Sequence, residues 1–263
     1  MTPGADAPTV LSADNPKIKQ ARRLARSRRE RAAAGRYVIE GPGLVRDASS
    51  AEVPLDYVLV PDEVARPDLT GVRAPVFVVP QRSFASIATT VTPQPALAVA
   101  VTAPHPVVIG RGLVLVLAAI ADPGNAGTLI RAAEAAGSVG VFLVGSSVDP
   151  FGPKTVRSSA GSVFRMPLES VSVADLRQRV ADAEVIMWGA IAVGGEPCDE
   201  VWLGGAPLVV VGNERHGIDE GLGVDHWVSI PMAGGPESLN VAMAGTVLLF
   251  EAARQRRNGR GSD

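Results

Sequence analysis

Residues Leu113–Gly137 read LVLVLAAIADPGNAGTLIRAAEAAG, in which an apolar run passes through a polar turn into a helical pattern. The run Leu113–Ile120 is continuously apolar, as expected for a strand in the buried middle of a parallel sheet. Ala126–Ala136 then predicts a helix, and Val139–Val144 predicts a second strand. A strand, a helix and another strand in this order indicate an α/β sheet built through helical crossovers.

The same alternation extends from this stretch to the end of the chain. Further strands are predicted at Val185–Ala190, Leu208–Val211 and Val228–Ile230. Further helices are predicted at Lys154–Ala160, Ser172–Ala181 and Leu239–Arg256. The last helix is amphipathic, with apolar residues on related faces at Leu239, Met243, Val247 and Phe250. Residues 113–263 therefore form one predicted parallel α/β domain.

Towards the N-terminus, the sequence predicts a smaller α/β domain at residues 1–105, joined through a Pro- and Gly-containing linker at residues 106–112. A helix is predicted over residues 14–34, with Asp14 or Asn15 as its cap and Gly35 as its stop. Strands are predicted at Tyr37–Ile39, Leu55–Val60, Val76–Val79 and Ala96–Val101, and helices at Gly43–Ser50 and Gln81–Ala88.

Composition argues against several classes of protein. The 263 residues are 46% apolar and 20% charged, which allows a sizeable core and argues against disorder. A single cysteine and three scattered histidines argue against a disulfide framework and a metal site. The sequence shows no signal-peptide pattern, and its apolar runs fall far short of the ~20 residues of a membrane span. We therefore expect a soluble cytoplasmic protein that binds neither a metal nor a membrane.

Basic residues are concentrated near the two ends of the chain, although the net charge is only −2. Residues 12–46 contain ten basic and three acidic side chains, and the C-terminal tail adds Arg254, Arg256, Arg257 and Arg260. This distribution indicates a structured nucleic acid that is bound through its phosphates, while a solvated helix face is the alternative interpretation. The six candidate RNA-binding residues are Lys17, Lys19, Arg22, Arg23, Arg26 and Arg29.

Common catalytic signatures are absent from the sequence, which has no Walker A loop, no G-x-G-x-x-G turn after a strand and no G-x-S-x-G elbow. Instead, polar segments follow three predicted strands, where open α/β sheets bind their ligands. The polar candidates are Asn125 and Arg131 in the first segment, Glu214 and His216 in the second (Leu208–Ile218, LVVVGNERHGI), and Ser238 and Asn240 in the third (Ile230–Val241, IPMAGGPESLNV). Each segment alone is also compatible with an ordinary turn or helix cap.

Taken together, these segments resemble a known family. The matching elements are Asn125-x-Gly127-x3-Arg131-x5-Gly137, Gly212-Asn213-Glu214, Ile230-Pro231-Met232 and Glu237-Ser238-Leu239-Asn240-Val241, with Asp149-Pro150, Lys154, Arg157-Ser158-Ser159-Ala160-Gly161 and Phe164-Arg165 between the first two. In this order they resemble the motifs of the SpoU/TrmH family of the SPOUT superfamily, which are S-adenosylmethionine-dependent RNA ribose 2′-O-methyltransferases. The stretch from Asn15-Pro16-Lys17 to Glu40-Gly41 resembles, less specifically, the small RNA-binding domain of rRNA-acting members.

The resemblance implies a C-terminal SPOUT sheet whose chain end forms a deep trefoil knot, against the usual rule of unknotted topology. It also implies a homodimer with active sites at the interface and S-adenosylmethionine as the cofactor. The catalytic residues that it implies are Asn125, Arg131, Glu214, Ser238 and Asn240. The cofactor-binding residues that it implies are Gly212, Asn213, Ile230, Met232, Ser238 and Leu239.

The implied reaction moves a methyl group from a sulfonium to a ribose 2′-oxygen, which must be held in line with the departing sulfur. The family likeness places Arg131 at the 2′-hydroxyl. Because arginine stays protonated in proteins, we interpret Arg131 as a cation that acidifies the hydroxyl and fixes the adjacent phosphate. The proton would then pass to a phosphate oxygen or to water, and His216 is an alternative local base.

Four functions remain open on the sequence. The leading one is 2′-O-methylation of large-subunit rRNA, with tRNA as a second substrate class. The others are a non-catalytic RNA-binding protein, a methyltransferase acting on a base, and a nicotinamide-dependent dehydrogenase. The dehydrogenase is disfavoured because its glycine fingerprint and the acidic residue that follows it are missing.

Overall fold

The computed structural model describes residues 9–103, 105–205, 207–234 and 238–259. These residues divide into two compact units. The first unit contains the described residues up to Ala103 together with Phe151–Arg157, and the second contains the rest. This division differs in two respects from the predicted domains. The sequence analysis placed residues 151–157 in the second domain, and it placed residue 105 in the first domain and residues 106–112 in a linker, which all belong to the second unit.

A mixed sheet of five strands forms the centre of the described part of the first unit. Its strands are β1 (Thr9–Val10), β2 (Arg36–Glu40), β3 (Leu55–Pro61), β4 (Val76–Val79) and β5 (Leu97–Val101). In the order β1-β4-β3-β5-β2, the first three strands are parallel and β5 is antiparallel to both of its neighbours. The helices are α1 (Pro16–Arg26), α2 (Arg28–Ala34), α3 (Pro42–Ser50) and α4 (Gln81–Ala85). Ile18 and Leu24 of α1 join the core that Leu59 and Phe84 also enter.

Ser27 interrupts the helix that the sequence predicts over residues 14–34, so the prediction of one continuous helix is wrong. The backbone of Ser27 is extended, with φ −128° and ψ 117°. Its side-chain oxygen accepts a hydrogen bond of 3.2 Å from the N–H of Glu30 and thereby begins α2. The spacing Ser27-x-x-Glu30 is the pattern of a capping box, which is the sequence signal for this break. The predicted cap at Asn15 and the predicted stop at Gly35 are confirmed.

A sheet of seven parallel strands forms the centre of the described part of the second unit. Its strands are β6 (Val114–Ala118), β7 (Gly140–Val144), β8 (Leu168–Val171), β9 (Met187–Ala190), β10 (Glu196–Pro197), β11 (Leu208–Gly212) and β12 (His226–Ser229), in the order β10-β12-β9-β11-β6-β7-β8. The remaining helices of the chain are α5 (Pro123–Ala135), α6 (Pro153–Ser158), α7 (Val173–Ala183) and α8 (Val241–Gly259). The predicted α/β class with a parallel C-terminal sheet is confirmed, although the short strands β1, β8 and β10 were not predicted.

The carboxyl ends of the central strands lie level with one another. Register pairs Gly212 of β11 with Ala118 of β6, and Ala118 in turn with Val144 of β7. The turn after β6 leads into α5 and the turn after β11 carries Glu214. Two of the predicted motifs therefore leave the sheet at the same edge.

Helix α8 closes against α5 and β11, where Gly245 permits a close approach. A Cβ atom at Gly245 would lie 2.4 Å from Leu129 Cδ2 and 3.2 Å from Val211 Cγ1. The helix begins at Val241 because the side-chain oxygen of Asn240 accepts the N–H of Ala242 at 2.9 Å. The predicted start at Leu239 was therefore two residues too early.

The opposite side of α8 carries an exposed apolar stripe. Leu239 just before the helix is 37% exposed, and Met243, Val247 and Phe250 on the helix are 64%, 41% and 45% exposed. These are the residues that the sequence analysis placed on related faces, whereas the buried side of α8 is formed by other residues, among them Ala242, Leu248, Leu249 and Ala252.

The connection from β12 to α8 contains the third predicted motif, of which Glu237 lies outside the described residues. Arg260 of the basic tail also lies outside them. The trefoil knot implied at this end of the chain stays a prediction. Within the described ranges, no helix combines the length and hydrophobicity that crossing a bilayer requires.

Candidate active site

A cavity of about 680 Å³ opens at the carboxyl edge of the second unit's sheet. Segments that follow β9, β11 and β12 line it, together with the first turns of α8. All six predicted cofactor-binding residues are among the lining residues: Gly212, Asn213, Ile230, Met232, Ser238 and Leu239. The second and third motifs of the sequence therefore contribute to one cavity.

The cavity has apolar walls and a small number of polar groups. Ile191, Ile218 and Leu248 supply apolar surface, whereas Glu214 and His216 supply polar atoms. This combination is typical of sites for small organic molecules, whose apolar parts are enclosed while a few polar groups fix their orientation. An adenosine group joined to a methionine chain has this mixed character, so the lining fits the predicted cofactor.

Two contributions to the cavity were missed by the sequence analysis. Residues 190–192 follow β9, and Trp227 lies on β12, which is paired with β9. The available signal was the predicted strand Val185–Ala190, because the end of any strand next to β11 reaches the same edge. Trp227 was not among the predicted site residues, although its side chain lines the cavity.

Gly212 is required where β11 enters the cavity. A Cβ atom at this position would lie 2.5 Å from both the carbonyl carbon and the oxygen of Gly217. The backbone of Asn213 exchanges two hydrogen bonds of 2.9 Å with that of Gly217, which folds residues 213–217 back into a tight loop. Gly212 therefore allows the loop to close directly over the end of the strand.

The side chain of Asn213 organises this loop. Its oxygen accepts hydrogen bonds from the N–H groups of Arg215 at 2.9 Å and His216 at 3.2 Å. Its amide nitrogen donates at 3.0 Å to the carbonyl oxygen of Ala119, which follows β6. Ala119 has φ +55°, a left-handed conformation that is uncommon for a residue with a side chain. Asn213 thus connects the loop after β11 to the strained turn after β6.

Three polar side chains from three different motifs meet at the rim of the cavity. Asn125 Nδ2 donates to Glu214 Oε1 at 2.6 Å, and Asn240 Nδ2 donates to Asn125 Oδ1 at 3.3 Å. The N–H of Asn125 is itself held by the side chain of Asp122, the cap of α5, at 2.9 Å. We refer to Asn125, Glu214 and Asn240 as the polar triad. Its partners fix both ends of the Asn125 amide, so the orientation of that group is defined.

Comparison with known proteins agrees with this geometry. Residues 112–250 match the SpoU rRNA methylase family, and residues 15–98 match the MRM3-like substrate-binding domain. The chain belongs to the SpoU rRNA methylase family. The resemblance drawn from the motifs is confirmed, and the first unit of this SpoU methylase carries the smaller domain that the sequence analysis expected.

Relatives of this SpoU methylase share both of its units. It is 33% identical over 245 residues to the 23S rRNA (guanosine(2553)-2′-O)-methyltransferase RlmP of Bacillus subtilis, with 92% of this chain and 97% of RlmP covered. Its fold is similar to that of the SpoU methyltransferase AviRb from Streptomyces viridochromogenes in complex with the cofactor AdoMet, with a TM-score of 0.82, 28% identity and coverage of 92% and 98%. The AdoMet-bound rRNA methyltransferase from Sinorhizobium meliloti gives a TM-score of 0.81, 28% identity and coverage of 93% and 98%. AdoMet is S-adenosylmethionine, the cofactor that the motifs predict.

Arg131 of the SpoU methylase lies apart from the polar triad. It is exposed on α5, six residues after Asn125, and does not line the cavity. Its guanidinium makes no hydrogen bond or ion pair with another residue in the described ranges. Ser238, the remaining predicted catalytic residue, is exposed and lines the cavity beside Asn240. The structure therefore gathers four of the five predicted catalytic residues at one place: Asn125, Glu214, Ser238 and Asn240.

The predicted RNA-binding residues of the first unit have different surroundings. Lys19, Arg23 and Arg29 are exposed, although Lys19 is 3.5 Å from Asp14 and Arg23 is 3.4 Å from Glu30. Such exposed pairs are weak and leave the basic groups available.

The other three predicted RNA-binding residues are partly engaged inside the unit. Arg22 donates to Ser86 Oγ at 2.8 Å, and Arg26 donates to Ser86 O at 3.1 Å. Lys17 places its Nζ 4.7 Å from the centre of the Tyr57 ring. Their charges lie on the same helix as Lys19 and Arg23, so α1 carries both exposed, weakly paired cations and internally bonded cations. Elsewhere in the described ranges, no group of three or more His, Cys, Asp or Glu side chains is arranged to hold a metal ion.

Proposed function

We propose that this protein transfers the methyl group of S-adenosylmethionine to a ribose 2′-hydroxyl of 23S rRNA. The observation that carries the proposal is the polar triad beside the 680 Å³ cavity, in a chain of the SpoU rRNA methylase family. RlmP, a relative over nearly the whole chain, is named for the same reaction on 23S rRNA. Ribosomal RNA as substrate also agrees with the expected cytoplasmic location.

The cavity would hold S-adenosylmethionine, which supplies a methyl group on a positively charged sulfur. Gly212, Ile230 and Leu239 bring backbone to the cavity at the ends of two strands and before α8. A Cβ atom at Gly212 would displace the neighbouring backbone, so this cradle depends on glycine. We further propose that the C-terminal part of the chain passes through a loop as a trefoil knot.

The polar triad would hold the ribose and its phosphate in the reactive position. Asn240 fixes the oxygen of the Asn125 amide and Glu214 fixes its nitrogen, which leaves each residue with little rotational freedom. Such fixed groups contribute to catalysis by positioning the attacking oxygen in line with the bond that breaks. Ser238, next to Asn240 in the chain, would contact the nucleotide from the same rim.

Arg131 would act as a permanent cation at the 2′-hydroxyl. Its guanidinium stays protonated, so it favours the ionised form of the hydroxyl by charge and by two parallel hydrogen bonds to the neighbouring phosphate. The proton would leave to a phosphate oxygen or to water. His216, which lines the cavity, is the alternative acceptor within the chain.

The protein would act as a homodimer. The apolar stripe of α8 leaves Met243, Val247 and Phe250 exposed on one face, which is costly for a monomer in water. In a symmetric dimer, the same stripe on two copies covers itself. Because Arg131 does not line the cavity of its own protomer, we propose that it serves a site formed at this interface.

The test is transfer of tritiated methyl from S-adenosylmethionine to total RNA from a strain that lacks the gene, followed by nucleoside analysis and separation of RNA by size. We expect label in a 2′-O-methyl nucleoside of 23S rRNA. Label in tRNA would correct the substrate, and label on a base would overturn the reaction. Absence of label in naked RNA and in ribosomal assembly intermediates, with S-adenosylhomocysteine bound, would favour a binding protein without activity.

A further inference from the structure

A second depression lies on the edge of the second unit's sheet that is opposite to the cofactor cavity. It has a volume of about 360 Å³ and is lined by Arg111, Arg256 and Arg257 together with small residues. Its floor includes Gly112, just before β6, and Val139, just before β7, so it marks the amino edge of these strands. A strand of five residues spans about 16 Å, which is the least distance that separates the two edges.

The three arginines reach this basic pocket from distant parts of the chain. Arg111 is exposed in the segment before β6, and Arg257 is exposed in the last turns of α8. Arg256 is partly buried and donates from its NH2 to the carbonyl oxygen of Ala136 at 2.5 Å. Ala136 is the C-terminal cap of α5, where a cation also meets the negative end of the helix dipole. These interactions hold the Arg256 side chain in place, so that it forms a fixed part of the pocket wall.

Within the described ranges, none of the residues that line the pocket is acidic. The acidic residues nearest to it along α5 and α8 have other partners, because Glu134 pairs with Arg165 at 2.5 Å and Glu251 pairs with Arg254 at 2.7 Å. Arg111 and Arg257 bring two exposed cations together here, and converging cations create a positive potential that attracts an anion.

The remaining lining identifies the kind of anion. Glycine, alanine and valine complete the pocket, with no aromatic ring for stacking and no side-chain acceptor that could read a base. Gly137 has φ +72°, and a Cβ atom there would lie 3.7 Å from the NH2 of Arg256, so the floor is bare backbone next to a guanidinium. Guanidinium groups around a shallow floor suit a phosphate group, which they bind with paired hydrogen bonds.

We propose that the basic pocket of Arg111, Arg256 and Arg257 binds a backbone phosphate of the RNA substrate, as an anchor at the edge of the catalytic unit remote from methyl transfer. This proposal rests on the proposed function, because it deepens how the same RNA is held. The pocket binds phosphate without reading sequence, and it lies on the catalytic unit, whereas the RNA-binding residues predicted from the sequence lie on α1 and α2. It therefore strengthens binding of the RNA and fixes the position of the RNA along the catalytic unit, independently of the first unit.

The experiment measures binding of unmodified 23S rRNA transcript at several KCl concentrations for the Arg257→Glu and Arg111→Glu variants. Arg177→Glu is the matched control, because Arg177 is also an exposed helical arginine of the second unit. We expect each test variant to bind about tenfold more weakly near 150 mM salt, with a salt slope smaller by about one. The control should stay within about twofold, and the affinity of every variant for S-adenosylhomocysteine should equal that of wild type.

Several outcomes would overturn the pocket as an RNA anchor. One is unchanged RNA affinity in both test variants, and another is an equal loss in Arg177→Glu, which would reflect net charge alone. A thermal shift with inorganic phosphate that disappears in Arg257→Glu while RNA affinity stays unchanged would assign the pocket to a free anion. Methylation of the same transcript by wild-type protein is measured in parallel, so failure of the proposed function is seen separately from failure of the pocket.

Discussion

Asn125 Nδ2 lies 2.6 Å from Glu214 Oε1, although the two residues are 89 positions apart in the chain. Asn125 belongs to the first turn of α5 and Glu214 to the loop after β11, so this hydrogen bond joins two motifs that parallel pairing brings to one edge. The other end of the Asn125 amide accepts from Asn240. An asparagine is suited to this position because it offers a donor to a carboxylate and an acceptor to an amide at the same time.

The first prediction concerns the Asn125→Asp variant. It replaces the donor to Glu214 with a second carboxylate at hydrogen-bond distance, so the two groups repel and the rim of the cavity shifts. We expect the single-turnover rate to fall about a hundredfold, the loss that a displacement near 1 Å produces in a positioned site. The affinity for S-adenosylhomocysteine, measured by calorimetry, should change little because Asn125 does not line the cavity.

The Asn125→Ala variant is the control for repulsion. It removes the donor without adding a charge, so its rate should fall less than that of Asn125→Asp. If Asn125→Asp retained the wild-type rate, the hydrogen bond to Glu214 would have no part in positioning the substrate.

The second prediction concerns Asn213, whose side chain holds the loop after β11. The Asn213→Ala variant loses the acceptors for the N–H groups of Arg215 and His216 and the donor to Ala119. We expect S-adenosylhomocysteine to bind about tenfold more weakly, because a hydrogen bond contributes on the order of 1 kcal/mol and the loop that lines the cavity loses three of them. Asn213→Asp keeps the two acceptors and should bind with intermediate affinity. Equal affinities for all three proteins would show that the side chain does not shape the cavity.

The gathering of the motifs could be predicted from the sequence because it follows from strand direction. The apolar runs at Leu113–Ile120 and Leu208–Val211 predict parallel strands, and polar residues after such strands share one edge. The structure places Glu214 and Asn240 with Asn125 accordingly. The break at Ser27 could also have been found, because Glu30 stands three residues later in the order of a capping box.

Other features could not be predicted from local pattern. Strand β10 has two residues, Glu196 and Pro197, and is defined only by its pairing with β12. The packing of Phe151–Arg157 with the first unit depends on contacts such as that of Phe151 with Tyr37, whose ring centres are 4.9 Å apart. This contact joins residues that are more than a hundred positions apart, so the local hydrophobic pattern of the sequence cannot predict it.

The third prediction concerns Glu40, a carboxylate whose side chain is only 1% exposed. Burial alone would raise the pKa of Glu40, but hydrogen bonds from Thr89, from Thr90 and from the N–H of Gln94 outweigh it and hold the pKa below its usual range. The Arg157 guanidinium lies 3.9 Å away. Because the pKa is lowered in the folded state, the ionised group stabilises the fold above its unfolded pKa, and this contribution is lost as pH falls through the folded pKa.

Denaturation with urea at pH 7 and at pH below about 4 tests this dependence. At pH 7, Glu40→Gln should lower the free energy of unfolding by about 2 kcal/mol, because four donor groups lose a charged acceptor. The difference from wild type should narrow at the lower pH, where the wild-type carboxylate is also becoming protonated. Glu63→Gln, at an exposed position of the same unit, is the matched control and should be neutral at both values. If the difference in unfolding free energy between wild type and Glu40→Gln were the same at both pH values, the ionised Glu40 carboxylate would not be the source of the stabilisation.

The fourth prediction concerns the apolar stripe of α8 and the proposed homodimer. Phe250→Glu places a charge on the stripe, where it would have to be buried in a symmetric interface. We expect sedimentation velocity to show a dimer for wild type and a monomer for Phe250→Glu at micromolar concentration, with methyl transfer lost together with the dimer. Val64→Glu, at a 45% exposed valine of the first unit, should remain dimeric and active. A wild-type monomer with full activity would reject the dimer.

The fifth prediction concerns Gly212, where β11 enters the cavity. In Gly212→Ala the new Cβ would lie 2.5 Å from the carbonyl carbon and oxygen of Gly217, and backbone cannot rotate away as a flexible side chain can. The loop of residues 213–217 must therefore lift from the strand and carry Glu214 away from Asn125. We expect a stability loss of about 1–3 kcal/mol, as for overpacked sites, and about tenfold weaker binding of S-adenosylhomocysteine.

Gly43→Ala is the matched control for this substitution. Gly43 lies in α3, has no neighbouring atom within 4 Å of its Cβ position and does not require a positive φ, so alanine there should be neutral or slightly stabilising. Calorimetry with S-adenosylhomocysteine and urea denaturation on both variants separate the two effects. Wild-type affinity in Gly212→Ala would mean that the loop adapts without disturbing the cavity, and the close contact between Gly212 and Gly217 would then not explain why glycine stands at the end of β11.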